Sequence, residues 1–293
     1  MSTLRCQLRI ALVLSILCVA LAVPPISRGQ AHGQKTFTSS TDAVADFVQA
    51  AKEGNTNELL AILGPQSEQI ISSGDSVVDA KIRDQFVAEY ELKHSLVKSG
   101  LHQYTLNVGK ADWPLPIPLV HANNKWFWDG AAGRDEILYR RIGRNELAAI
   151  KVCKGVVAAQ HDYASHPHDG HPPGSYASAI VSDPGRQNGL YWEVPDGAVP
   201  SPAGPLLAQA SAEGYDTSSK QQPYHGYYYR MLKNPAGFGF LAYPAQYRSS
   251  GVMTFIVDQT GVIYQKDLGE DTAGIAQQLT TYKRDRTWTR LQQ

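Results

Sequence analysis

The sequence predicts an α+β protein built in two parts, and three observations lead to this class. Apolar residues near the amino terminus recur every three or four positions, which is typical of amphipathic helices. Between residues 104 and 128 the period changes to two, which is typical of strands. A long helical stretch then precedes a second series of strand patterns. Hydrophobic residues make up 43% and charged residues 18% of the 293, which is a globular balance.

The first residues have the pattern of an export signal. Two arginines precede an uncharged apolar run at residues 10–23, and two prolines follow it. This run is shorter than the roughly 20 residues of a membrane span, so a cleaved signal peptide is favoured over an anchor. We expect residues 1–22 to be removed, with an alternative cleavage site as late as residue 31. Residues 23–40 are polar and predict a flexible leader.

Export predicts a periplasmic or secreted protein with no membrane span after cleavage. Losing residues 1–22 removes two arginines and no acid, so 27 basic and 27 acidic residues become 25 and 27, a net charge of −2. We therefore expect no nucleic-acid partner. Two of the three cysteines leave with the signal, and Cys153 alone cannot form an intramolecular disulfide. Cys153 lies on an apolar helical stripe, so we expect a buried residue.

The first part spans residues 41–132 and begins with helices. We expect one capped by Thr41-Asp42 and stopped by Gly54, one stopped by Gly64, and one from Asp79 to about His94. Alternating strands follow, with Asn123-Asn124 as a hairpin turn before the last of them. Helices followed by a small curved antiparallel sheet are similar to the nuclear transport factor 2-like fold. This is an analogy of fold only.

The second part, residues 133–293, begins with a long helix at about 133–163, in which Gly143 marks a possible kink. Strands are expected at 224–231, 239–243, 252–258 and 262–266, and a closing helix at 270–282. A long helix packed on an antiparallel sheet is similar to the soluble heads of type IV pilin-like proteins. In this chain, however, a whole domain precedes that helix.

Several strings in order along the chain resemble those of a bacterial exported family, domain-of-unknown-function family 2950. They are SGD at 73–75, VGK at 108–110, WPLPIPL at 113–119, AAG at 131–133, RRIGRNEL at 140–147, GLYW at 189–192, SP at 201–202, YHGY at 224–227 and SGVMTF at 250–255. The resemblance covers nearly all of the chain after the signal. It implies an exported bacterial protein and supplies no established activity or catalytic residues. One departure is the short segment 233–237, where the family usually has a longer Gly-rich stretch.

Charged residues of the long helix are the first candidates for ligand binding. Arg140, Arg141, Arg144 and Glu146 lie at helical spacing, and the forked guanidinium groups suit a carboxylate or phosphate. The alternative is structural, because arginines between two domains often tie them together. The structural role is favoured.

Aromatic residues and one histidine are the second set of candidates. Trp113 and Trp128 either line or fill a cavity of the first part. Tyr227 lies on a tyrosine-rich strand whose successive side chains point to opposite faces. One face therefore belongs to the core, and the other is a candidate binding surface. His225 can form an acid–base pair with an aspartate or glutamate. Core packing and ordinary surface are favoured for the aromatic residues.

A histidine-rich loop gives weak metal-ligand candidates, namely His166, His168 and His171. Imidazoles bind Zn, Cu or Ni, but the loop has neither fixed ligand spacing nor obvious supporting groups. A solvated loop is favoured, and we expect no metal and no cofactor. The sequence also has no Gly-x-Ser-x-Gly elbow, no His-Glu-x-x-His helix and no phosphate loop.

These patterns favour a noncatalytic role in the bacterial cell envelope, in which the chain binds a protein partner or a small molecule at the junction of its two parts. One alternative is an envelope hydrolase that uses His225 and an acidic partner. Another alternative is an assembly subunit related to pilins. The enzyme is the less favoured of these classes because no catalytic motif is present.

Overall fold

Helices and antiparallel strands alternate in blocks in the computed structural model, which describes residues 33–195, 197–217 and 222–292. The predicted signal, residues 1–22, lies outside the described residues. The helices are α1 (Ser40–Glu53), α2 (Thr56–Leu63), α3 (Glu68–Ile71), α4 (Ser76–Leu92), α5 (Gly130–Ala164), α6 (Gly204–Ala212) and α7 (Thr272–Gln278). The strands are β1 (His94–Lys98), β2 (Gln103–Val108), β3 (Trp113–Pro114), β4 (Leu119–Ala122), β5 (Lys125–Trp128), β6 (Ala179–Val181), β7 (Gly189–Tyr191), β8 (Tyr227–Asn234), β9 (Gly237–Pro244), β10 (Met253–Asp258), β11 (Tyr264–Asp267) and β12 (Thr289–Arg290). The chain is therefore α+β, as its sequence predicts.

In the amino-terminal half, the first four helices pack with an antiparallel sheet of order β1-β2-β4-β5, in which β3 also pairs with β2. The predicted turn at Asn123-Asn124 joins β4 to β5, with φ of 52° and 55° at its two residues. Both angles match a two-residue hairpin turn. Trp128 is fully buried in the core between these layers, against Phe47.

Several boundaries in this half differ from the prediction; α4, for example, begins at Ser76 rather than Asp79. The Ser39 hydroxyl, rather than Thr41-Asp42, caps α1 by accepting from the amide of Asp42. The last helix ends at Leu92, and His94, predicted as its end, begins β1 instead. Strand β1 forms because its residues pair with β2 along its whole length, a tertiary contact that helical spacing does not reveal.

The described part of the leader is packed, unlike the flexible segment expected from the sequence. Phe37 is buried and exchanges two backbone hydrogen bonds with Trp126, each 2.9 Å. The Gln34 side chain donates to the carbonyl oxygens of Ile62 and Trp128 at 2.8 and 2.6 Å. These contacts add an extended segment to the edge of β5.

Helix α5 is continuous over 35 residues and belongs to both halves. Ile137 packs against the amino-terminal core, whereas Ala149, Cys153 and Val156 belong to the carboxy-terminal core. Gly143, the predicted weak point, does not interrupt the helix, and a Cβ at this position would meet nothing within 4 Å. Cys153 is fully buried, as expected, and burial raises the pKa of its thiol to about 12.

The carboxy-terminal half is an antiparallel sheet of order β12-β11-β10-β9-β8, covered on both faces. Helix α5 packs on the face that carries Tyr227 and Phe240, and α7 packs on the face that carries Leu241 and Ile256. The predicted strands β8 to β11 are confirmed with shifts of a few residues at their ends. Helix α7 is shorter than the predicted 270–282.

Three features of this half have no counterpart in the prediction, and one of them is the short strand β12, which pairs with β11. The other two are the parallel pair β6–β7 and helix α6, which begins at a Gly-Pro step. Proline is well suited to the first turn of a helix because its missing N–H needs no partner there. Among the described residues, no helix combines the length and the apolar character that a membrane crossing requires.

Candidate functional site at the junction of the two halves

The junction centres on Asp75, a carboxylate that is 1% exposed. Its Oδ1 caps α4 by accepting from the amide of Val78 at 3.1 Å. Its Oδ2 accepts from the Tyr215 hydroxyl at 3.0 Å and from the Gly226 amide at 2.8 Å. A buried carboxylate needs such donors, because burial without them costs several kcal/mol. Asp75 thus joins the amino-terminal helices to two segments of the carboxy-terminal half.

Helix α5 ties the same junction together from the other side. Buried Arg141 donates to the carbonyl oxygens of Gln69 and Ile70 at 2.5 and 2.9 Å. One turn later, buried Asn145 donates to the carbonyl of Ser250 at 2.9 Å. We call Asp75, Arg141, Asn145, Glu146, Tyr215 and Gly226 the junction network.

Glu146 completes this network, since its Oε1 accepts from the amides of Val252 and Met253, both at 3.0 Å. Arg141 and Glu146, two of the predicted ligand residues, therefore bind backbone groups of the protein itself. Burial lowers the pKa of Arg141, and the nearby carboxylate of Asp79 opposes that shift. The favoured structural role fits these two residues.

His225 lies in a tight turn above the network. Tyr224 and Tyr227 exchange backbone hydrogen bonds of 2.9 and 3.2 Å, and the two residues between them have φ of 51° at His225 and 74° at Gly226. Two consecutive positive φ angles define a type I′ hairpin turn, whose strain for a non-glycine residue must be held by its surroundings. The Tyr215 hydroxyl supports it by accepting from the amide of His225 at 3.2 Å.

The imidazole of His225 faces an acidic partner. Its Nε2 lies 2.9 Å from Oε2 of Glu213, and the two side chains are 27% and 21% exposed. The Tyr224 hydroxyl also bonds to Glu213, and exposed Lys81 is close enough for its charge to act on His225. We call His225, Glu213, Tyr224 and Lys81 the His225 cluster.

The electrostatics of the cluster favour a neutral imidazole. Burial lowers the pKa of His225 from 6.5, and this effect outweighs the opposing attraction of Glu213 and Asp75. Burial also raises the pKa of Tyr224 to about 12, with Glu213 acting in the same direction. A neutral imidazole that donates Nε2–H to Glu213 keeps Nδ1 as an acceptor, and among the described residues Nδ1 has no hydrogen-bond partner.

The other predicted ligand residues on α5 lie at the surface. Arg140 bonds to Glu136 at 2.6 Å and its guanidinium stands over the ring of Trp113, 5.4 Å from the centroid. Trp113 itself is 43% exposed. Arg144 is exposed and has no hydrogen bond within the described part of the chain, although the charge of Asp79 acts on it. The side chain is nevertheless partly shielded by the surrounding protein, and this partial desolvation is the main cause that lowers the pKa of Arg144.

Two of the predicted aromatic ligand residues lie in the cores instead. The Trp128 indole donates to the carbonyl of Ala43 at 2.9 Å, and the Tyr227 hydroxyl donates to that of Met253 at 2.9 Å. Both side chains are fully buried, so neither is available to a ligand at the surface. Trp113, Trp128, Arg144 and His225 therefore do not converge on one pocket.

The histidine loop forms a second tight turn. His168 stacks on the Tyr163 ring with centroids 4.1 Å apart, and its Nδ1 lies 3.0 Å from Oε1 of Gln187. His166 and His171 are exposed. Within the described ranges, no group of three His, Cys, Asp or Glu side chains has the spacing of a metal site.

Sequence reasoning missed Glu213 and Tyr215 as partners of the site. Both lie just after α6, a helix that the hydrophobic pattern did not predict. The signal that was available is the Gly-Pro step followed by two leucines at residues 204–207, which is a helix start. Recognising that start would have directed attention to the acidic and aromatic residues at its far end.

Comparison with known protein families shows a match over nearly the whole described chain. A family model described as "Protein of unknown function (DUF2950)" matches residues 34–236 and 233–291. No curated protein matches, and no solved structure matches. The likeness to pilin heads is therefore not confirmed. Because the model covers most of the sequence, the chain belongs to the DUF2950 family.

Proposed function

We propose that this chain is an exported protein of the bacterial cell envelope that binds a partner without chemical conversion, and that the His225 cluster is the contact site. The observation that carries the proposal is the pairing of His225 with Glu213 at 2.9 Å in a strained turn at the junction. The partner is a small molecule or a protein segment with a group that donates a hydrogen bond to Nδ1 of His225.

The case for export rests on the sequence. The basic start, the apolar run at residues 10–23 and the small residues after it are the pattern of a signal peptide. We expect the chain recovered from the periplasm or the medium to lack at least residues 1–22. Intact-mass spectrometry of that material measures this directly, and a chain that retains its initiating segment contradicts export by cleavage.

The case for binding rests on the contrast between the His225 cluster and the junction network beneath it. In the network, each polar side chain described above is bonded to another part of the protein. In the cluster, the imidazole keeps an acceptor, and Lys81 adds an exposed cation nearby. Convergent polar groups of this kind, held by a rigid base, are typical of recognition sites.

Histidine-selective NMR tests the site. Ring resonances of the exported chain are followed while fractions of envelope extract are added, with exposed His166 as the internal control. We expect one fraction to shift the His225 resonance saturably and to leave that of His166 in place. If all fractions leave the His225 resonance unchanged, the pair is a structural tie and the proposal is wrong.

Hydrolysis at the same cluster is the second candidate. A carboxylate that orients an imidazole, with the other ring nitrogen acting as a base, is the arrangement that general-base catalysis uses. In this case His225 takes a proton from water as the water oxygen attacks the carbonyl carbon of an ester, and Glu213 stabilises the imidazolium. The C–O bond to the alcohol then breaks, and the imidazolium gives its proton to the leaving alkoxide.

A panel of chromogenic carboxylic esters separates the two candidates. Turnover that Glu213→Gln and His225→Gln both abolish, with unchanged melting temperature, identifies a hydrolase. Binding detected by NMR without any turnover favours the noncatalytic role. Glu270→Gln is the matched control, because this exposed carboxylate lies outside the cluster.

A further inference from the structure

The sheet of the amino-terminal half has two edges, and only one of them is covered within the described chain. At the β5 edge, the segment before α1 adds to the sheet, because Phe37 exchanges two backbone hydrogen bonds with Trp126. At the β1 edge, no backbone hydrogen bond from outside the sheet reaches the strand among the described residues. The edge of β1 is therefore open.

The direction of the backbone groups of β1 follows from its pairing with β2. Just before the strand, the Gly109 amide donates to the Lys93 carbonyl at 2.8 Å, and just after it the Ser99 amide donates to the Gln103 carbonyl at 3.0 Å. In an antiparallel pair, bonded positions alternate with positions whose N–H and C=O groups point away from the neighbouring strand. The odd-numbered positions of β1 are therefore the ones bonded to β2.

The even-numbered positions, His94, Leu96 and Lys98, direct their backbone N–H and C=O groups away from β2. Among the described residues, none of these groups takes part in a backbone hydrogen bond outside the sheet. A row of outward backbone groups is a template on which one more strand can pair.

Apolar side chains concentrate at the same edge. Nine large hydrophobic side chains of the described residues are more than a third exposed, and three of them lie within residues 92–101. These three are Leu92, Val97 and Leu101, which are 56%, 47% and 81% exposed. Exposed apolar side chains grouped beside open backbone groups mark an interaction surface, whereas single ones need no explanation.

The side chain of His94 presents a hydrogen-bond acceptor at this edge. Its Nδ1 lies 2.9 Å from the carbonyl oxygen of Tyr90, so Nδ1 carries the hydrogen and Nε2 of the neutral ring is an acceptor. The Tyr90 ring stacks on the imidazole, with centroids 3.9 Å apart, and holds its orientation. Lys98 is exposed at the other end of the strand and supplies a donor.

We propose that the edge of β1 binds β1 of a second copy of this chain, with the two strands antiparallel and a two-fold axis at Leu96. Leu96 then pairs with Leu96 of the other copy, and His94 of each copy lies opposite Lys98 of the other. Each outward N–H and C=O group of these three positions gains a partner, and the Lys98 ammonium donates to Nε2 of His94. The two amino-terminal sheets become one continuous sheet.

A second copy is favoured over an unrelated strand because this edge is complementary to itself. The two-fold axis sets each lysine opposite an acceptor and not opposite another lysine. It also brings Leu101, which follows β1, toward Leu92 of the other copy, which precedes β1. The two Val97 side chains become diagonal neighbours on one face of the joined sheet. None of these residues belongs to the His225 cluster, so failure of either proposal leaves the other intact.

Sedimentation and amide exchange of the exported chain, measured over a range of concentrations, test the pairing. We expect a reversible dimer by sedimentation equilibrium. In exchange followed by NMR, the amides of Leu96 and Lys98 should exchange roughly tenfold more slowly when about nine tenths of the chain is dimeric, because only the monomer exposes them. The amides of Ser95 and Val97 are the internal controls, because they are bonded to β2 in both states.

Two substitutions with matched controls locate the interface. Lys98→Pro removes an outward N–H and no bond to β2, so it should raise the dissociation constant of the dimer roughly tenfold or more, whereas Lys98→Ala keeps this N–H and should raise it less. Leu101→Asp should also weaken the dimer. Val199→Asp is its control, because Val199 is an apolar side chain of the carboxy-terminal half that is 87% exposed. Melting temperatures show that each variant is folded.

Three results would overturn the pairing. One is a chain that stays monomeric at a concentration on the order of 1 mM, at which even a millimolar dimer is detected. Another is a dimer in which the amides of Leu96 and Lys98 stay unprotected, or which folded Lys98→Pro and Leu101→Asp leave unchanged, because the copies then meet elsewhere. The third is protection of these two amides only when envelope extract is added to a monomeric chain, because the edge then receives a strand of a different protein.

Discussion

Two tight turns in the carboxy-terminal half have nearly the same backbone and very different surroundings. His168 to His171 has φ of 48° at Asp169 and 79° at Gly170, and Tyr224 to Tyr227 has 51° and 74° at its two central residues. A Cβ at Gly170 would meet nothing within 4 Å, whereas one at Gly226 would lie 2.5 Å from Nδ2 of Asn145. The glycine of the first turn faces open space, although His168 beside it stacks on Tyr163, whereas the glycine of the second turn is fixed between α5 and Asp75.

The difference teaches that turn geometry alone does not identify a site. Both turns contain histidine and glycine, and from the sequence the denser group of histidines looked richer in ligands. What separates them is the buried carboxylate and the long helix against which the second turn packs. We therefore expect the loss in the free energy of unfolding to differ most between the two turns for substitutions of residues that contact the helix or the carboxylate.

Alanine at the two glycines should show the largest difference. Both changes strain a left-handed residue by about 1 kcal/mol. Gly226→Ala also forces its methyl group against Asn145 and Ser250, so we expect a loss of about 3 kcal/mol in the free energy of unfolding. Urea unfolding measures both variants, and equal losses would break the comparison.

Asparagine at the two aspartates should show the next largest effect. The buried carboxylate of Asp75 accepts three hydrogen bonds, and Asp75→Asn replaces one of its oxygens with an NH₂ group. We expect a loss of about 2 kcal/mol in the free energy of unfolding. The side chain of Asp169 is 22% exposed, and it accepts from the Gln187 amide at 2.8 Å and from the Arg186 guanidinium at 3.3 Å, so Asp169→Asn should cost about 1 kcal/mol. The same unfolding measurement applies, and a cost at Asp169 as large as that at Asp75 would contradict the burial argument.

Phenylalanine at the tyrosines beside the turns gives a smaller contrast. Tyr215→Phe removes a donor to Asp75 and an acceptor for the His225 amide, so we expect a loss of about 1.5 kcal/mol. Tyr163→Phe removes one bond, to the Gln187 carbonyl, and should cost about 0.5 kcal/mol. Thermal unfolding measures both variants. A larger loss of stability for Tyr163→Phe than for Tyr215→Phe would show that Tyr215 does not connect the turn to the network.

The smallest expected effect is the pH dependence of His225. Its pKa is lowered from 6.5 in the folded chain, so the unfolded chain binds the proton more readily. The stability contribution is fully present above the unfolded pKa and is lost as the pH falls from about 6.5 through the folded pKa. NMR titration of the ring should give a midpoint below 6.5.

Glu213→Gln sharpens the pH experiment. Glu213 attracts the protonated ring and opposes the effect of burial, so its removal should lower the midpoint of His225 further. A midpoint that stays unchanged would show that Glu213 and His225 do not interact in solution.

Much of this fold could be predicted from local patterns, because interactions between residues close in the sequence determine those elements. Gly54 ends α1 in the left-handed conformation, Asn123-Asn124 forms the expected hairpin, and four strands of the second sheet lie where their alternation placed them. The elements that were missed depend on distant contacts. Strand β1 needs β2, and the parallel pair β6–β7 needs residues ten positions apart to align.

The candidate site was predicted in part. His225, Arg141 and Glu146 were named from the sequence, but the bonds of Arg141 and Glu146 go to backbone groups that no side-chain pattern identifies. Trp128 and Tyr227 carry polar atoms that a sequence cannot assign to core or surface. Inside the protein these atoms donate to carbonyl oxygens, and these hydrogen bonds offset the cost of removing the polar atoms from water.

The reach of Asp75 across the chain has a kinetic consequence. Its partner Gly226 is 151 residues away, and Asn145 contacts Ser250 across 105 residues. Contacts of such separation form slowly because a long loop must close before they contribute. While the chain is being synthesised, the amino-terminal half emerges before Tyr215 and Gly226, the donors to Oδ2 of Asp75, have been made. All contacts of the junction can form only after residue 250 has left the ribosome.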